Sequence, residues 1–574
     1  MQSISKVFWL FLPGVFGSVC PNASGFYWFS GRALGPPAGS TWMNADCPAI
    51  DSNCPYPLVS AHIEFEAGSG NFGNIADVVT LTSYSFQNCI NLTTVTMQRG
   101  HGNSVTIGIQ AFKGCTSLST FNLPSWISLI SYNAFENTNL TSITIPGNVQ
   151  DDAFKGSSLV SATILTMTTI PNSLFEDCAS LTTVTHSATA IGDSAFRGCG
   201  NLEFFDLSSV TQINDNAFRS SGLLSVTTSG NVGWYAFQDC TSLVNVTAGD
   251  VSGVAFVGCT SLESVTARSV GVGAFRSLPA LQSAILGPGT IGPNAFRSSS
   301  VVNVTLNGAV SISDQAFEDC AGLQTVHIEN GNIGRSVFKN SGIISFTINS
   351  GQFSSSGAFE GCANLLSVDL GSIDVIDGSQ FYGCSALQSI VSNLTEIGDY
   401  VFYGSSLTTL TAPSLQSIGN NAFEDCSALS SIDTSGVHTI GQVAFSQCNS
   451  LTATDLTAAT SIGFRAFENS GLTSVTLTSG TIGYSAFSDC VDLATVDIGS
   501  ITSIPDSAFR GCTDLVTFHS TNLTSIGEDS FRGTANLASI DFSGVTSIGP
   551  NAFLGSGVSN APTAATPAPT PAPT

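Results

Sequence analysis

Apolar and small residues recur along this chain in one fixed order. In Ala190–Leu207, A-I-G-D-S-A-F-R-G-C-G-N-L-E-F-F-D-L, an Ile stands five residues before Phe196, a Gly four before it and an Ala one before it. A Cys follows three after that Phe, and a Leu six after it opens the run L-E-F-F-D-L. The order returns at Phe86, Phe112, Phe135, Phe154, Phe175, Phe196, Phe218, Phe237, Phe256, Phe275, Phe296, Phe317, Phe338, Phe359, Phe381, Phe402, Phe423, Phe445, Phe467, Phe487, Phe509, Phe531 and Phe553. These are 23 copies over 467 residues, a period of about 21. A unit of that length encloses no core of its own, so each Phe, Ile and Leu must be buried against its copies in the turns on either side. The pattern predicts a β-rich solenoid. Each L-x-x-V-x-L run alternates as a strand does, which predicts one parallel strand per repeat, with short turns or one-turn helices on the other side.

The period lies within the leucine-rich repeat range. In Thr481–Ile498, T-I-G-Y-S-A-F-S-D-C-V-D-L-A-T-V-D-I, nearly every position fits I-G-x-x-A-F-x-x-C-x-x-L-x-x-I-x-L, the motif of the BspA-like leucine-rich repeat surface proteins. The resemblance extends from about Val79 to Val558. It implies a leucine-rich repeat solenoid. It also implies a secreted or surface-exposed microbial protein, since some members of that family act in adhesion to host matrix proteins or to other cells.

The copies differ at the position three after Phe. Cys89, Cys115, Cys178, Cys199, Cys240, Cys259, Cys320, Cys362, Cys384, Cys426, Cys448, Cys490 and Cys512 stand there, and in those copies the strand opens six residues after Phe. Thr138, Ser157, Ser221, Ser299, Ser341, Ser405, Ser470 and Ser556 take the place in eight shorter copies that reach the strand in five; Leu278 and Thr534 are the exceptions. A hydroxyl suits a tighter turn because it can bond the backbone, while Cys fills a looser one. A stacked row of buried thiols is one reading of the cysteines. Disulfides between neighbours such as Cys178 and Cys199 are the other, although parallel Cβ vectors fit that bond's dihedral poorly. None of the thirteen has zinc-site spacing. The short form returns at Phe338, Phe402 and Phe467, which suggests growth by copying blocks of three repeats.

Alternation turns the third and fifth strand residues outward. The candidate interaction face they form includes Thr94, Thr96, Thr183, Thr185, Thr247, Thr266, Thr305, Thr347, Thr409, Thr411 and Thr476. Thr gives way at Asp206, His327, Asp369, Asp433, Asp497, His519 and Asp541.

Residues 1–17 combine Lys6 with a short apolar run and small residues, the pattern of a secretory signal peptide. Residues 18–78 lack the period and read as an amino-terminal cap, with His62-Ile63-Glu64-Phe65 as a capping strand. The cap holds Cys20, Cys47 and Cys54, of which Cys47–Cys54 is the first choice of disulfide, with the connectivity left open. The solenoid is expected over 79–558 and a Pro/Thr-rich extended tail over 559–574, with no transmembrane anchor. N-x-S/T sequons at Asn22, Asn91, Asn139, Asn245, Asn303, Asn393 and Asn522 are candidate N-glycosylation sites. Together these features point to an extracellular protein, secreted or associated with a cell surface.

The net charge of −25 disfavours nucleic acid and other polyanions as partners, and keeps a mostly apolar, Ser/Thr-rich solenoid dispersed. No nucleophile elbow, HExxH, P-loop or dinucleotide fingerprint occurs, and His62, His101, His186, His327, His438 and His519 are scattered. No catalytic, metal or cofactor site is expected. The favoured function is therefore non-enzymatic binding of an extracellular protein or glycan through the repeat surface. An alternative is ice or another crystalline surface bound by the Thr-x-Thr rows, because rigid β-branched Thr on a strand lattice gives a regular plane. The remaining reading is polysaccharide hydrolysis by strand carboxylates. Asp369 and Asp433 are three turns apart, roughly 14 Å and too far, which leaves Asp433 and Asp455 in adjacent turns.

Overall fold

The structure, a computed structural model, describes residues 60–64, 79–81, 83–98, 105–308, 310–354 and 356–560. The expected signal peptide, the sequon at Asn22, the cap cysteines Cys20, Cys47 and Cys54, and the tail from Ala561 onward lie outside the described residues. The chain divides into two compact units, Met1–Cys240 and Thr241–Thr574, and each is a solenoid of stacked turns.

Most turns contribute two short strands where the hydrophobic pattern predicted one, although 202–207, 451–456 and 537–542 form none. In the first unit Ser142–Ile145, Ser161–Ile164 and Thr183–Thr185 pair in parallel along one column. Thr169–Ile170, Ala190–Ile191 and Gln212–Ile213 pair in parallel along a second. In most turns the second strand is a two-residue step, as at Thr169–Ile170, Ala190–Ile191 and Gln212–Ile213, too short to show an alternation. Ser60–Glu64 overlaps the stretch expected as a capping strand and pairs in parallel with Thr94–Gln98.

In the second unit the first column runs through Asn245–Thr247, Ser264–Ala267, Ser283–Leu286 and Asn303–Leu306. The two strands of a turn then fuse into single nine-residue strands, Thr325–Ile333 and Ser345–Phe353. Gly331 and Gly351 face each other there, and a Cβ on Gly351 would lie 1.8 Å from the Gly331 carbonyl oxygen, so only glycine lets these backbones meet.

Turns, and no helix among the described residues, complete each circuit. The cause is a pair of left-handed residues, two before and two after the repeat Phe, such as Ser194 and Gly198 around Phe196. They interrupt any helical run, and the backbone donors bond instead across and within the turns. In the turn of Phe112, the N–H groups of Gln110, Phe112 and Gly114 donate to Tyr132, Ala134 and Glu136 in the next turn. The intervening N–H groups of Ala111, Lys113 and Cys115 donate three residues back within their own turn. Burial of a polar backbone is tolerated here because these N–H groups are bonded.

The core follows from that scaffold. Every repeat Phe from Phe112 to Phe531 is 0 % exposed. Within each unit the rings stack at centroid separations of 5.0 to 5.9 Å, nearly parallel and offset along the solenoid.

The cysteines form a second buried row, and Cys178 and Cys199 are both free, so the disulfide alternative is not realised for that pair. The thiols donate to the carbonyl of the Phe one turn earlier, as from Cys178 to Phe154 at 3.1 Å and from Cys199 to Phe175 at 3.2 Å, and likewise from Cys115, Cys240 and Cys320. In the shorter turns Thr138 and Ser556 donate to the Phe carbonyl of their own turn, at 3.0 and 2.8 Å. Ser157, Ser221 and Ser405 instead meet the sulfur of the next turn, each at 3.3 Å. The cysteine is therefore a small hydrophobe with a directed donor.

Candidate functional site

The side chains left over by this core are those that point outward from the first strand column. Thr94, Thr96, Thr183, Thr185, Thr247, Thr305, Thr409, Thr411 and Thr476 are exposed, and Thr266 and Thr347 are half-buried. Parallel pairing holds them in register: Thr144, Thr163 and Thr185 are successive rungs in the first unit, and Thr247 and Thr266 in the second. The rows are broken by large side chains that the Thr pattern did not reveal. Phe204 is 71 % exposed at a position otherwise held by small residues, and Ile285 and Val391 are exposed within the Thr row. Three consecutive Thr rungs are a short lattice for a crystalline surface.

The aspartates on the same face have a local cause. Asp206, Asp369, Asp433, Asp455, Asp497 and Asp541 each accept, through Oδ1, the backbone N–H two residues on, at 2.9 to 3.1 Å. This is an Asx turn, which closes the tight corner after the strand. Hydrogen bonds from Ser208, Ser435 and Thr457 hold the Asp206, Asp433 and Asp455 carboxyls below the usual carboxylate value. A glycosidase pair needs one carboxylic acid raised enough to carry a proton. Asp433 and Asp455 are both ionised and both committed to turns, so they supply no proton donor. The signal was present in the sequence: D-L-S, D-L-G, D-T-S, D-L-T, D-I-G and D-F-S follow these positions with turn-forming residues.

Two histidines are tied into the face. His327 Nδ1 lies 2.6 Å from Thr347 Oγ1, and His519 Nδ1 lies 3.1 Å from Asp497 Oδ1. His186 is half-buried, stacked on Phe205 at 4.5 Å. Its Nδ1 accepts the Ala188 N–H, so its Nε2 carries the proton donated to the Asp206 carbonyl, and burial holds the ring below its ordinary pKa. Among the described residues, no group of three or more His, Cys, Asp and Glu is placed to hold a metal ion. No helix among them is long and apolar enough to cross a membrane.

Asn91, Asn139, Asn245, Asn303, Asn393 and Asn522 are all exposed. Asn245 and Asn303 stand on the strand face itself, separated by Ser264 and Ser283 in register.

Basic residues gather beside the repeat Phe. Nine of the 15 Lys and Arg directly follow a repeat Phe, at Lys113, Lys155, Arg197, Arg219, Arg276, Arg297, Lys339, Arg510 and Arg532. Six of these, Lys113, Lys155, Arg197, Arg219, Arg297 and Lys339, pair with acids one turn away, such as Lys113 with Glu136 at 2.8 Å and Lys339 with Glu360 at 2.9 Å. Glu176 is nearly buried. Burial works to raise its pKa, but hydrogen bonds from Lys155 and Ser173 prevail and keep it low. This ridge was legible from the residue after each Phe and was not read.

Comparison with known proteins agrees with the repeat geometry. The family model of the BspA type leucine rich repeat region matches six times, at residues 79–189, 147–263, 250–366, 289–393, 354–459 and 438–559. No curated protein matches the chain. Among solved structures, a leucine rich cell surface protein from Faecalibacterium prausnitzii is 21% identical, with 59% of this chain and 80% of that chain covered and a TM-score of 0.24. A leucine-rich repeat protein from Bacteroides ovatus is 18% identical, with 87% of this chain and 84% of that chain covered and a TM-score of 0.20. Six overlapping matches that together run from residue 79 to 559 are what a single repeated unit produces, and the chain belongs to the BspA-type leucine rich repeat family.

Proposed function

We propose that this is a secreted or surface-associated interaction protein that binds an extracellular protein or glycan with the outward face of its first strand column. The observation that carries the reading is the division of labour in the repeat. A Phe is buried in every turn from Phe112 to Phe531, whereas the outward Ser and Thr of the strands are exposed or half-buried and held in register. A repeated face of this kind gains avidity from many weak contacts. Residues 1–17 would direct secretion, residues 18–78 would cap the first turn, and the sequons would carry glycans in a host that attaches them.

The test is to immobilise the mature chain and screen extracellular matrix proteins and cell-wall polysaccharides. Saturable binding to at least one, reduced by substitutions on the strand face, is expected. Failure of every ligand to bind would contradict the proposal.

A further inference from the structure

The strand face of the second unit carries charge of one sign. From Asp369 to Asp541 its fifth strand positions read Asp369, Val391, Thr411, Asp433, Asp455, Thr476, Asp497, His519 and Asp541. Ladder pairing sets Asp369 beside Val391, and Asp497 between Thr476 and His519. At about 4.8 Å per rung the row extends roughly 38 Å. The adjacent outward row holds only Ser, Thr and Ala from Ser367 to Ser539, so nothing bulky screens the carboxylates. No Lys or Arg stands in either row. The eight basic residues of the unit lie elsewhere: five follow a repeat Phe, Arg335 and Arg465 precede one, and Arg268 is held by Asp250.

Resting on the reading of the strand face as the binding surface, we infer that the stretch from Asp369 to Asp541 docks a basic polypeptide, an extended Lys- or Arg-bearing segment of another protein lying along the solenoid axis. Charge complementarity selects that occupant. A row with five carboxylates and no Lys or Arg repels acidic glycans, and it repels the same face of a second copy of this chain. An extended polypeptide presents side chains on one face about every 6.7 Å, close enough to the rung spacing to reach successive carboxylates. Val391, 63 % exposed beside Asp369, offers an apolar contact that a protein side chain can cover.

The probe is a synthetic peptide of alternating Lys and Ser, about twenty residues and therefore longer than the row when extended. It is titrated calorimetrically into the full mature chain, with the salt concentration varied. The variant Asp433→Asn/Asp455→Asn/Asp497→Asn/Asp541→Asn removes four charges, and Asn still forms the Asx turn. A host without N-glycosylation is needed, because three of these changes create N-x-S/T. The control Glu360→Gln/Glu424→Gln/Glu468→Gln/Glu528→Gln removes four charges from the turns. Binding about tenfold or more weaker for the strand variant, and within about twofold for the control, is expected from four exposed pairs. Equal weakening by both variants, or none by either, would overturn the inference. Should the quadruple variant melt early, Asp455→Asn/Asp497→Asn is measured against Glu424→Gln/Glu468→Gln on the same criterion. A ligand from the wider screen that needs the strand face but binds the Asn variant at full strength sinks this docking assignment alone; independence of both ligand and peptide from the strand face sinks both readings.

Discussion

Phe296 stacks on Phe275 at 5.3 Å and on Phe317 at 5.1 Å, so the loss of one ring opens a void with two apolar faces. Phe296→Ala is expected to cost about 3–5 kcal/mol in denaturant unfolding, and a loss below about 1 kcal/mol would mean that the turns collapse to fill the gap. The thiols predict a pH response of their own. Burial, only partly offset by the hydroxyls of Ser157, Ser341 and Ser470, pushes Cys178, Cys362 and Cys490 up to about 11 from an ordinary 9.0. A folded value above the unfolded one gives stability that is complete below pH 9.0 and is lost as pH rises through about 11. Melting temperature should therefore fall across that interval, and a thiol reagent at neutral pH should label these cysteines only as fast as the chain unfolds. Rapid labelling of native protein would show that the row is open.

At the scale of the strand and its turn, the aspartates behave as corners. Asp455→Ala should destabilise by about 1 kcal/mol relative to Asp455→Asn, since only Asn replaces the hydrogen bond to the Thr457 N–H. Equal melting of the two variants would remove the turn role. Hydrogen bonds from the turns hold the Asp433, Asp455, Asp497 and Asp541 carboxyls below the usual 3.8, helped at Asp497 by His519. Their contribution is present above that value and declines as pH drops through the lower folded values. The sequence was most legible where one residue does one job in every copy, as Phe does. It misled at the strand aspartates, read as interruptions of a Thr face. The pairing that explains them lies two residues on and was visible as D-T-S at Asp433 and D-L-T at Asp455. The second strand escaped because a two-residue step such as Ala190–Ile191 has no period to detect. The exposed Phe204 and Val391 could be named but not weighed, since exposure depends on which rows the turns bring together.

Across the molecule, the turn side builds the fold, and the strand side is the binding face we propose. Thr rungs come in runs as short as Thr144, Thr163 and Thr185, so purified protein at micromolar concentration should show no thermal hysteresis; a measurable freezing-point gap would restore the crystal-surface reading. The central claim is tested most directly by blocking each side in turn. Thr409→Trp/Thr476→Trp places two rings on the strand face, and Ala363→Trp/Val491→Trp places two on exposed turn positions. Affinity for the ligand returned by the screen is then measured for both variants by surface plasmon resonance. Loss of about tenfold or more in the strand variant, with the turn variant within about twofold of the parent, is the predicted result; loss confined to the turn variant would contradict the account.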